Sequence, residues 1–316
     1  MQYSTFAAID IGSYDVILEI FEISKKQGIR SVDKICHRME LGKDTYTLGK
    51  IRPEMEEELC RVLADFVRIM EGYRVDAYRA MASSAISEAA NSLYVLGKIR
   101  QLTGLSVTVL SNSEQRFLGY KALAAMEDNF NKIIEKGTAI LDLDGGSFQI
   151  SLFDKDALVT TQNIRMGSLR IRERLAGIQS ETEHYEEMVE ELIWNEVSSF
   201  KKMYLKDRKI ENIMLIGDVF TDSVYQNIEE KTTKIISREN FNTWYEKIIR
   251  QSPMELAVKL GIPLENASLM YPSAVIYKCL IDMMGAEHIW IPGVHMTRGI
   301  AYEYACLLYT SDAADE

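Results

Sequence analysis

Two stretches of the chain carry the same alternation of apolar and polar positions. Residues 7–23 read AAIDIGSYDVILEIFEI, and residues 139–154 read AILDLDGGSFQISLFD. In each, an apolar run ends at an Asp, a turn with Gly and Ser follows, and apolar positions alternate into an acidic end. An apolar strand punctuated by Gly and followed by a period of two predicts a β-hairpin. In this reading Asp10 and Asp142 occupy equivalent places, as do Ser13 and Ser147. A hairpin recurring so far along the chain predicts two similarly built domains facing each other.

Between the copies the period becomes helical. Residues 52–73 place Leu59, Val62, Leu63, Phe66, Ile69 and Met70 on one stripe with an acidic outer face, and Gly72 is the expected C-cap. Residues 74–85 read as a strand into a turn. Residues 84–104 read as a second amphipathic helix, with Ile86, Ala89, Ala90, Leu93, Leu96 and Ile99 inward and Gly104 at its end. A strand at 106–110 and a third helix at 111–126 follow. After the second hairpin come a strand at 158–166, a charged helix at 181–205, a buried strand with a turn at 212–220, and two further helices before residue 286. Strands alternating with helices predict an α/β fold. The polar stretch 129–137 gives the boundary, for domains at 1–130 and 131–306.

The 316 residues are 47% apolar and 26% charged, the composition of a globular protein with a sizeable core. A formal net charge of -11 argues against a sequence-independent nucleic-acid binder, because phosphate backbones require clustered Lys and Arg. An anionic ligand would need a local device such as a metal, an amide nest or a helix N-terminus. Cys36, Cys60, Cys279 and Cys306 lie far apart with no CxxC pair, so neither a zinc site nor a disulfide framework is indicated. No leader pattern and no apolar run long enough to span a membrane is present, and the expected location is the cytoplasm. The last ten residues, LLYTSDAADE, resemble the translation of a sequencing adapter at 307–316, so fold reasoning is expected to stop near Cys306.

The chemistry concentrates in a few stretches, each with a structural alternative. In the two hairpin turns, Gly lets backbone N–H groups converge on phosphate oxygens, Ser adds a donor, and Asp10 or Asp142 at a strand end can hold a magnesium ion. The alternative is a tight turn in which Gly supplies a positive φ and Asp caps it. Two copies favour the phosphate reading. Ser83, Ser84 and Ser87 mark a strand-to-helix junction that either binds an anion or simply caps a helix. Ser111 and Glu114 fit a capping box. Gln115, the next residue, is an amide and has no useful basicity. Lys43 and Lys50, in LGKDTYTLGKI, miss the spacing of a nucleotide-binding loop and read as surface residues. His37, His184, His288 and His295 lack ligand spacing, and the acidic run 181–191 reads as a solvated helix face.

Taken together, these stretches resemble the exopolyphosphatase and guanosine pentaphosphate phosphohydrolase family of the actin-like ATPase superfamily, collinearly over residues 6–305. DIGSYD at 10–15 is similar to that family's first turn, ASSAISEAAN at 82–91 to its Ala-Thr-Ser-Ala segment, and SNSEQRF at 111–117 to its Glu-Glu helix start. DLDGGSFQ at 142–149 is similar to its second turn, and MGSLRIRERL at 166–175 to a strand and turn. The resemblance implies two ribonuclease-H-like domains flanking a central cleft, a homodimer, and magnesium-dependent removal of terminal phosphate from polyphosphate or a phosphorylated guanosine nucleotide. It implies metal ligation by Asp10, Asp142 and Asp144. It implies substrate contacts from Gly12, Ser13, Tyr14, Ser84, Ser87, Asn91, Gly145, Gly146, Ser147 and Gln149, and catalysis around Glu114 and Gln115. Longer members add a helical domain after these two.

The departures fall in the chemistry. Gln115 replaces the family's base, Ser87 a phosphate-binding Arg, Gln149 a Glu, Asp144 a Gly, Phe148 a Thr, and Ile17 an Arg carried by many members; Asp15 stands where Ser is usual. The later Gly-Gly turn reads IGDVFT at 216–221 and the last motif PGVHMTRG at 292–299. Losing a positioned base typically costs about 10²–10⁴-fold in rate. Asp10, Asp15, Asp142 and Asp144 together are expected to repel a polyanion unless a divalent metal offsets them.

Overall fold

A computed structural model describes residues 3–126, 130–176, 185–227 and 235–314. The chain divides into two compact units, Met1–Ala125 with His295–Glu316, and Met126–Val294.

The first unit opens with three antiparallel strands, β1 (Ser4–Ile11), β2 (Asp15–Ser24) and β3 (Gly28–Arg38). Helices α1 (Leu41–Leu48) and α2 (Pro53–Tyr73) lead to β4 (Ala77–Ala82), which pairs in parallel with β1. Short α3 (Ser84–Ser87), α4 (Ser92–Thr103), β5 (Val107–Val109) and α5 (Asn112–Met126) follow, and the sheet order is β3-β2-β1-β4-β5. The predicted α2 stripe is buried at Leu59, Val62, Leu63, Phe66 and Met70. The helix passes through Gly72 and is capped instead by Arg74 at φ 51. The second predicted helix is broken into α3 and α4 at 88–91, which turns Leu93 outward to 87% exposure.

The second unit repeats the plan. After α6 (Phe130–Ile134), β6 (Thr138–Leu143), β7 (Phe148–Asp154) and β8 (Ala157–Ile164) form an antiparallel meander. Residues 166–175, expected as a strand and turn, fold as helix α7 (Ser168–Leu175). Helix α8 (Tyr185–Phe200) runs into a π-helical turn at Lys201–Leu205, and β9 (Asn212–Ile216) pairs in parallel with β6. Then come α9 (Val219–Asn227), β10 (Ile235–Ser237), α10 (Arg238–Ile249), α11 (Pro253–Leu260), α12 (Leu264–Met284) and β11 (His288–Trp290). The sheet order is β10-β11-β9-β6-β7-β8. Helix α12, with Pro272 inside it, is the buried centre against which α7, α8, α9, α10 and α11 pack. Helix α13 (Met296–Ala314) then rejoins the first unit, and its backbone continues as helix through 307–314.

Strands β1 and β2 read as near-continuous apolar runs because both faces of the sheet are covered there. Ala7, Ile9, Ile11, Val16, Leu18 and Ile20 pack with α2 and α4. Phe6, Ala8, Phe21 and Ile23 pack with α5 and α13, where Phe6 stacks on Tyr304 at 4.2 Å. Glu19 lies on the α13 face, 3% exposed, accepting from Ser31 Oγ at 2.7 Å and Thr297 Oγ1 at 2.5 Å. An acid held at a helix N-terminus is stabilised by the helix dipole, and here it fastens the returning helix to β2.

The repeat extends to irregularities. A bulge at Val32 of β3 shifts its register against Ile20 and Phe21 of β2, and another at Val159 of β8 shifts its register against Leu152 and Phe153 of β7. Register also sets which residues correspond. Asp10 pairs with Ile17 and Asp142 with Gln149, while Gly12 N–H donates to Asp15 O and Asp144 N–H to Ser147 O, both at 2.9 Å. Asp10 and Asp142 are therefore equivalent, but Ser13 corresponds to Gly145 and Ser147 to Asp15. The two turns carry their serines at different places, which sequence likeness alone had merged.

Candidate active site

At the first turn, space selects glycine: a Cβ on Gly12 would lie 2.9 Å from Asp15 Oδ1 and 3.1 Å from Asp15 O. Helix α1 is fastened beneath the turn, with Gly42 N–H donating to Ser13 O at 2.7 Å and Met39 N–H to Tyr14 O at 3.1 Å. One helical turn later Tyr46 brings its phenol to Ser13 Oγ and to Ser84 Oγ, both at 2.8 Å. Thr45 Oγ1 donates to Ala85 O at 2.7 Å, so α1 also holds the α3 junction. Ser13 and Ser84, both expected substrate contacts, are brought together, joined by Tyr46, to which the sequence reading assigned no role. Its signal was available: Tyr46 sits four residues after Gly42, on the same helix face.

Asp15 does not add an unbalanced charge. Arg38 Nη1 donates to its carboxylate at 2.7 Å, and Cys36 approaches at 3.7 Å, the thiol being pushed up to about 12 by burial and then by Asp15. Asp10 is half-buried at the end of β1. Ser87 is exposed at the end of α3. Asn91 is spent on the fold, its amide donating to Ile51 O and Glu56 Oε1 at 2.8 Å and its carbonyl accepting from Ile51 N–H at 3.0 Å.

At the start of α5, Glu114 receives Ser111 N–H at 2.8 Å and Ser111 Oγ at 2.6 Å, and its own N–H donates to Ser111 Oγ at 3.3 Å. This is the capping box. The Ser111 hydroxyl and then its N–H hold the Glu114 carboxyl below the usual carboxylate range. Gln115, half-buried, occupies the first turn beside it.

The second turn is packed by two glycines at other places in the chain. A Cβ on Gly167 would lie 2.3 Å from Asp144 O, and one on Gly217, at φ +99, 2.5 Å from Asp142 Oδ1. Asp144 Oδ1 accepts from Gly145 N–H at 2.6 Å, so the turn's first amide is taken by the chain's own carboxylate. Arg170, on α7, donates through N–H to Gly145 O at 2.9 Å and through Nε to Gly146 O at 2.8 Å. It is a cation at this turn that the sequence reading assigned no role. Asp142 is half-buried and pushed up to about 7, first by burial and then by the like charges of Asp144 and Asp218.

Asp218, in the turn after β9, was also passed over. It is 2% exposed and caps α9, Oδ1 accepting from Phe220 N–H at 2.9 Å and Thr221 N–H at 3.2 Å. Burial pushes its carboxyl up to about 7, opposed by the Ser273 hydroxyl and the capping N–H groups. Ser273 Oγ and Asp218 Oδ2 face each other without hydrogen-bond geometry, and both lack a partner. Across the sheet, Asp142, Gln149 and Asn163 stand in one row, and the buried Gln149 Oε1 and Asn163 Oδ1 also lack partners.

The sequence profile of the Ppx/GppA phosphatase family matches residues 19–306. The chain belongs to the Ppx/GppA phosphatase family. Solved Ppx/GppA structures show the same actin-like ATPase fold of two α/β domains. An exopolyphosphatase from Cytophaga hutchinsonii superposes with a TM-score of 0.84 over 96% of this chain and 98% of that one, at 16% identity. The Aquifex aeolicus family member gives 0.75 over 96% and 98%, at 18% identity. A bifunctional 3-dehydroquinate synthase/phosphatase of Fusobacterium nucleatum is 21% identical across 90% of this chain and 44% of its own length. Exopolyphosphatase 1 of Mycobacterium leprae is 26% identical across 45% of this chain and 41% of its own. The chain spans under half the length of these curated relatives.

Against the Ppx/GppA pattern, the second turn retains oxygen donors for a hard cation. Magnesium commonly takes one or two protein carboxylates and completes its shell with water and phosphate oxygens. Asp142, raised first by burial and then by neighbouring negative charge, and the orphaned Gln149 oxygen beside it are donors of that kind. Among the described residues no group of three or more His, Cys, Asp or Glu is placed so that it could hold a metal ion. Among those residues, too, no helix is long and apolar enough to cross a membrane. His184 and residues 181–184 of the acidic run lie outside the described residues.

Proposed function

We propose that this Ppx/GppA protein binds the terminal phosphoryl group of a phosphoanhydride, polyphosphate or a phosphorylated guanosine nucleotide, and hydrolyses it at a reduced rate. The observation that carries this reading is the start of α5. An amide stands at Gln115, and the neighbouring carboxylate, Glu114, is held by Ser111 at 2.6 and 2.8 Å. A carboxylate stabilised in its ionised form is a weak base, so Glu114 does not replace what Gln115 lacks.

In this reading the first turn receives phosphoryl oxygens on the hydroxyls of Ser13 and Ser84, and Arg170 contributes positive charge at the second. Magnesium, held by Asp142 with Gln149 and Asp144 beside it, would neutralise charge on the phosphate oxygens and orient water. Support for the substrate class comes from family membership and from relatives named exopolyphosphatase or phosphatase. A second reading, a phosphate- or nucleotide-binding module without turnover, is favoured by the joint absence of a base at Gln115 and a cation at the exposed Ser87.

Phosphate release from polyphosphate and guanosine pentaphosphate with magnesium separates these readings. The unmodified chain is expected to be slow, Gln115→Glu faster, and Ser87→Arg/Gln115→Glu/Gln149→Glu faster still. Brisk release by the unmodified chain would refute reduced activity. Binding without release, restored by the triple substitution, would establish the second reading.

A further inference from the structure

Three hydroxyls meet at the first turn. Ser13 Oγ and Ser84 Oγ each lie 2.8 Å from Tyr46 Oη, and 3.4 Å from each other. Each carries one proton and can both donate and accept. When the phenol accepts from one serine and donates to the other, two protons sit in short bonds. The third belongs to the serine that receives from Tyr46, and its partner within the triangle is 3.4 Å away, the long limit of a hydrogen bond. That proton turns to an incoming acceptor at small cost while the other two stay in place.

We propose that Tyr46 is a positioning residue for phosphoryl recognition: its phenol aligns Ser13 and Ser84 into a relay that presents one hydroxyl proton to a phosphoryl oxygen at the first turn. This rests on the reading of that turn as a phosphoryl site. Three features support it. Tyr46 is set from both sides, by Gly42 N–H on Ser13 O and Thr45 Oγ1 on Ala85 O, so its orientation is built into the fold. Linked hydroxyls polarise one another, which makes the terminal proton a stronger donor than a lone serine offers. The adjacent Ser83 hydroxyl is buried at 6% exposure without a partner, so the junction holds more donor capacity than the fold consumes. The device is neutral, and it stands where Ser87 no longer supplies a cation. Ligand affinity there depends on hydroxyl geometry more than on net charge.

Calorimetric titration with inorganic tripolyphosphate and magnesium tests the relay in the full chain. Tyr46→Phe is expected to weaken binding about five- to tenfold, the worth of one hydrogen bond. In a Ser13→Ala/Ser84→Ala background the same substitution is expected to change nothing further, because Tyr46 acts through those serines. Losses that simply add would overturn the relay, as would unchanged binding by Tyr46→Phe. If Ser13→Ala binds as the unmodified chain does, the phosphoryl reading of the turn fails and the relay with it. Should Tyr46→Phe fold poorly, replacing Tyr46 by a fluorinated tyrosine keeps the ring while changing the phenol as donor and acceptor. A shift in affinity then supports the relay, and no shift refutes it.

Discussion

Replacing the buried acid Asp218 by Asn is expected to stabilise the second unit above neutral pH. The group is pushed up to about 7, chiefly by burial, from an ordinary value of 3.8. The folded protein therefore holds a proton that the unfolded chain releases across that window. Stability contributed by the protonated form is full below the unfolded value and is lost as pH rises through the folded one. At about 1.36 kcal/mol per unit, a displacement of roughly three units costs about 4 kcal/mol once the group is ionised. An Asn keeps the oxygen that accepts from Phe220 and Thr221, and Asn caps helices as well as Asp. Its amide can donate to the orphaned Ser273 hydroxyl, worth about 0.5–1.5 kcal/mol. Against this it forgoes the attraction of an ionised cap to the helix dipole, about 0.3–1 kcal/mol.

The net expectation is a gain of about 3–5 kcal/mol near pH 8.5, shrinking by about 1.4 kcal/mol per unit as pH falls from 7 toward 4. Removing this charge also relieves Asp142, which acts in the same direction. The assay is urea denaturation in EDTA followed by tryptophan fluorescence. Trp194, Trp244 and Trp290 all lie in the second unit, so the signal reads that unit alone. A variant less stable at both ends of the pH range, or equally stabilised at both, would refute the reasoning.

Further outcomes follow from the same geometry. Gly167→Ala drives a Cβ to 2.3 Å from a backbone oxygen and is expected to cost about 1–3 kcal/mol or more by denaturation. Gly28→Ala, at φ +70 with nothing within 4 Å, should cost only about 1 kcal/mol. Asn91→Ala removes three hydrogen bonds and should lower stability by about 1–3 kcal/mol while leaving tripolyphosphate affinity unchanged; weakened affinity would return Asn91 to the binding site. Asp144→Gly frees the Gly145 amide and removes a like charge, so calorimetry without magnesium should show tighter tripolyphosphate binding.

The parts of the fold legible in the sequence were those with a strong local period. The paired hairpins, α2, α5 and β9 announced themselves through apolar spacing. Strand β3 did not, because its half-buried positions include Ser31, Asp33 and His37, and Ser31 is satisfied by a buried Glu19 that only the folded sheet brings near. The break between α3 and α4 was hidden because 84–104 keeps a helical apolar period across it; Asn91, read as a ligand contact, instead clasps Ile51 and Glu56 at that break. At the site, residues inside the turns were found and those fastened to them from elsewhere were not. Tyr46, Arg170 and Asp218 reach the turns from α1, α7 and the end of β9. The helical spacing of Tyr46 from Gly42 was a local signal, but which turn each of the three meets is set only by the folded chain.

The two turns share a frame but have taken different chemistry. Around the first, the acid at Asp15 is neutralised by Arg38 and the polar groups are hydroxyls. At the second, Asp142, Asp144 and Asp218 gather, with Arg170 bound to the turn carbonyls. Ser83, Gln149, Asn163, Ser168 and Asp218 each bury a polar atom without a partner on the strand ends, sheet row or helix starts that build these turns. Ser273 does so within α12 opposite Asp218, and Asn242 does so away from the turns in α10. A buried orphan costs about 1–3 kcal/mol, and native proteins keep few of them. A chain retaining only an inherited shape would gain stability by replacing such groups with apolar ones. Under the proposed reading a phosphate oxygen, water or cation would satisfy those at the turns, and the amide at Gln115 would then bear on turnover more than on binding, which the tripolyphosphate titration and the phosphate-release assay separate.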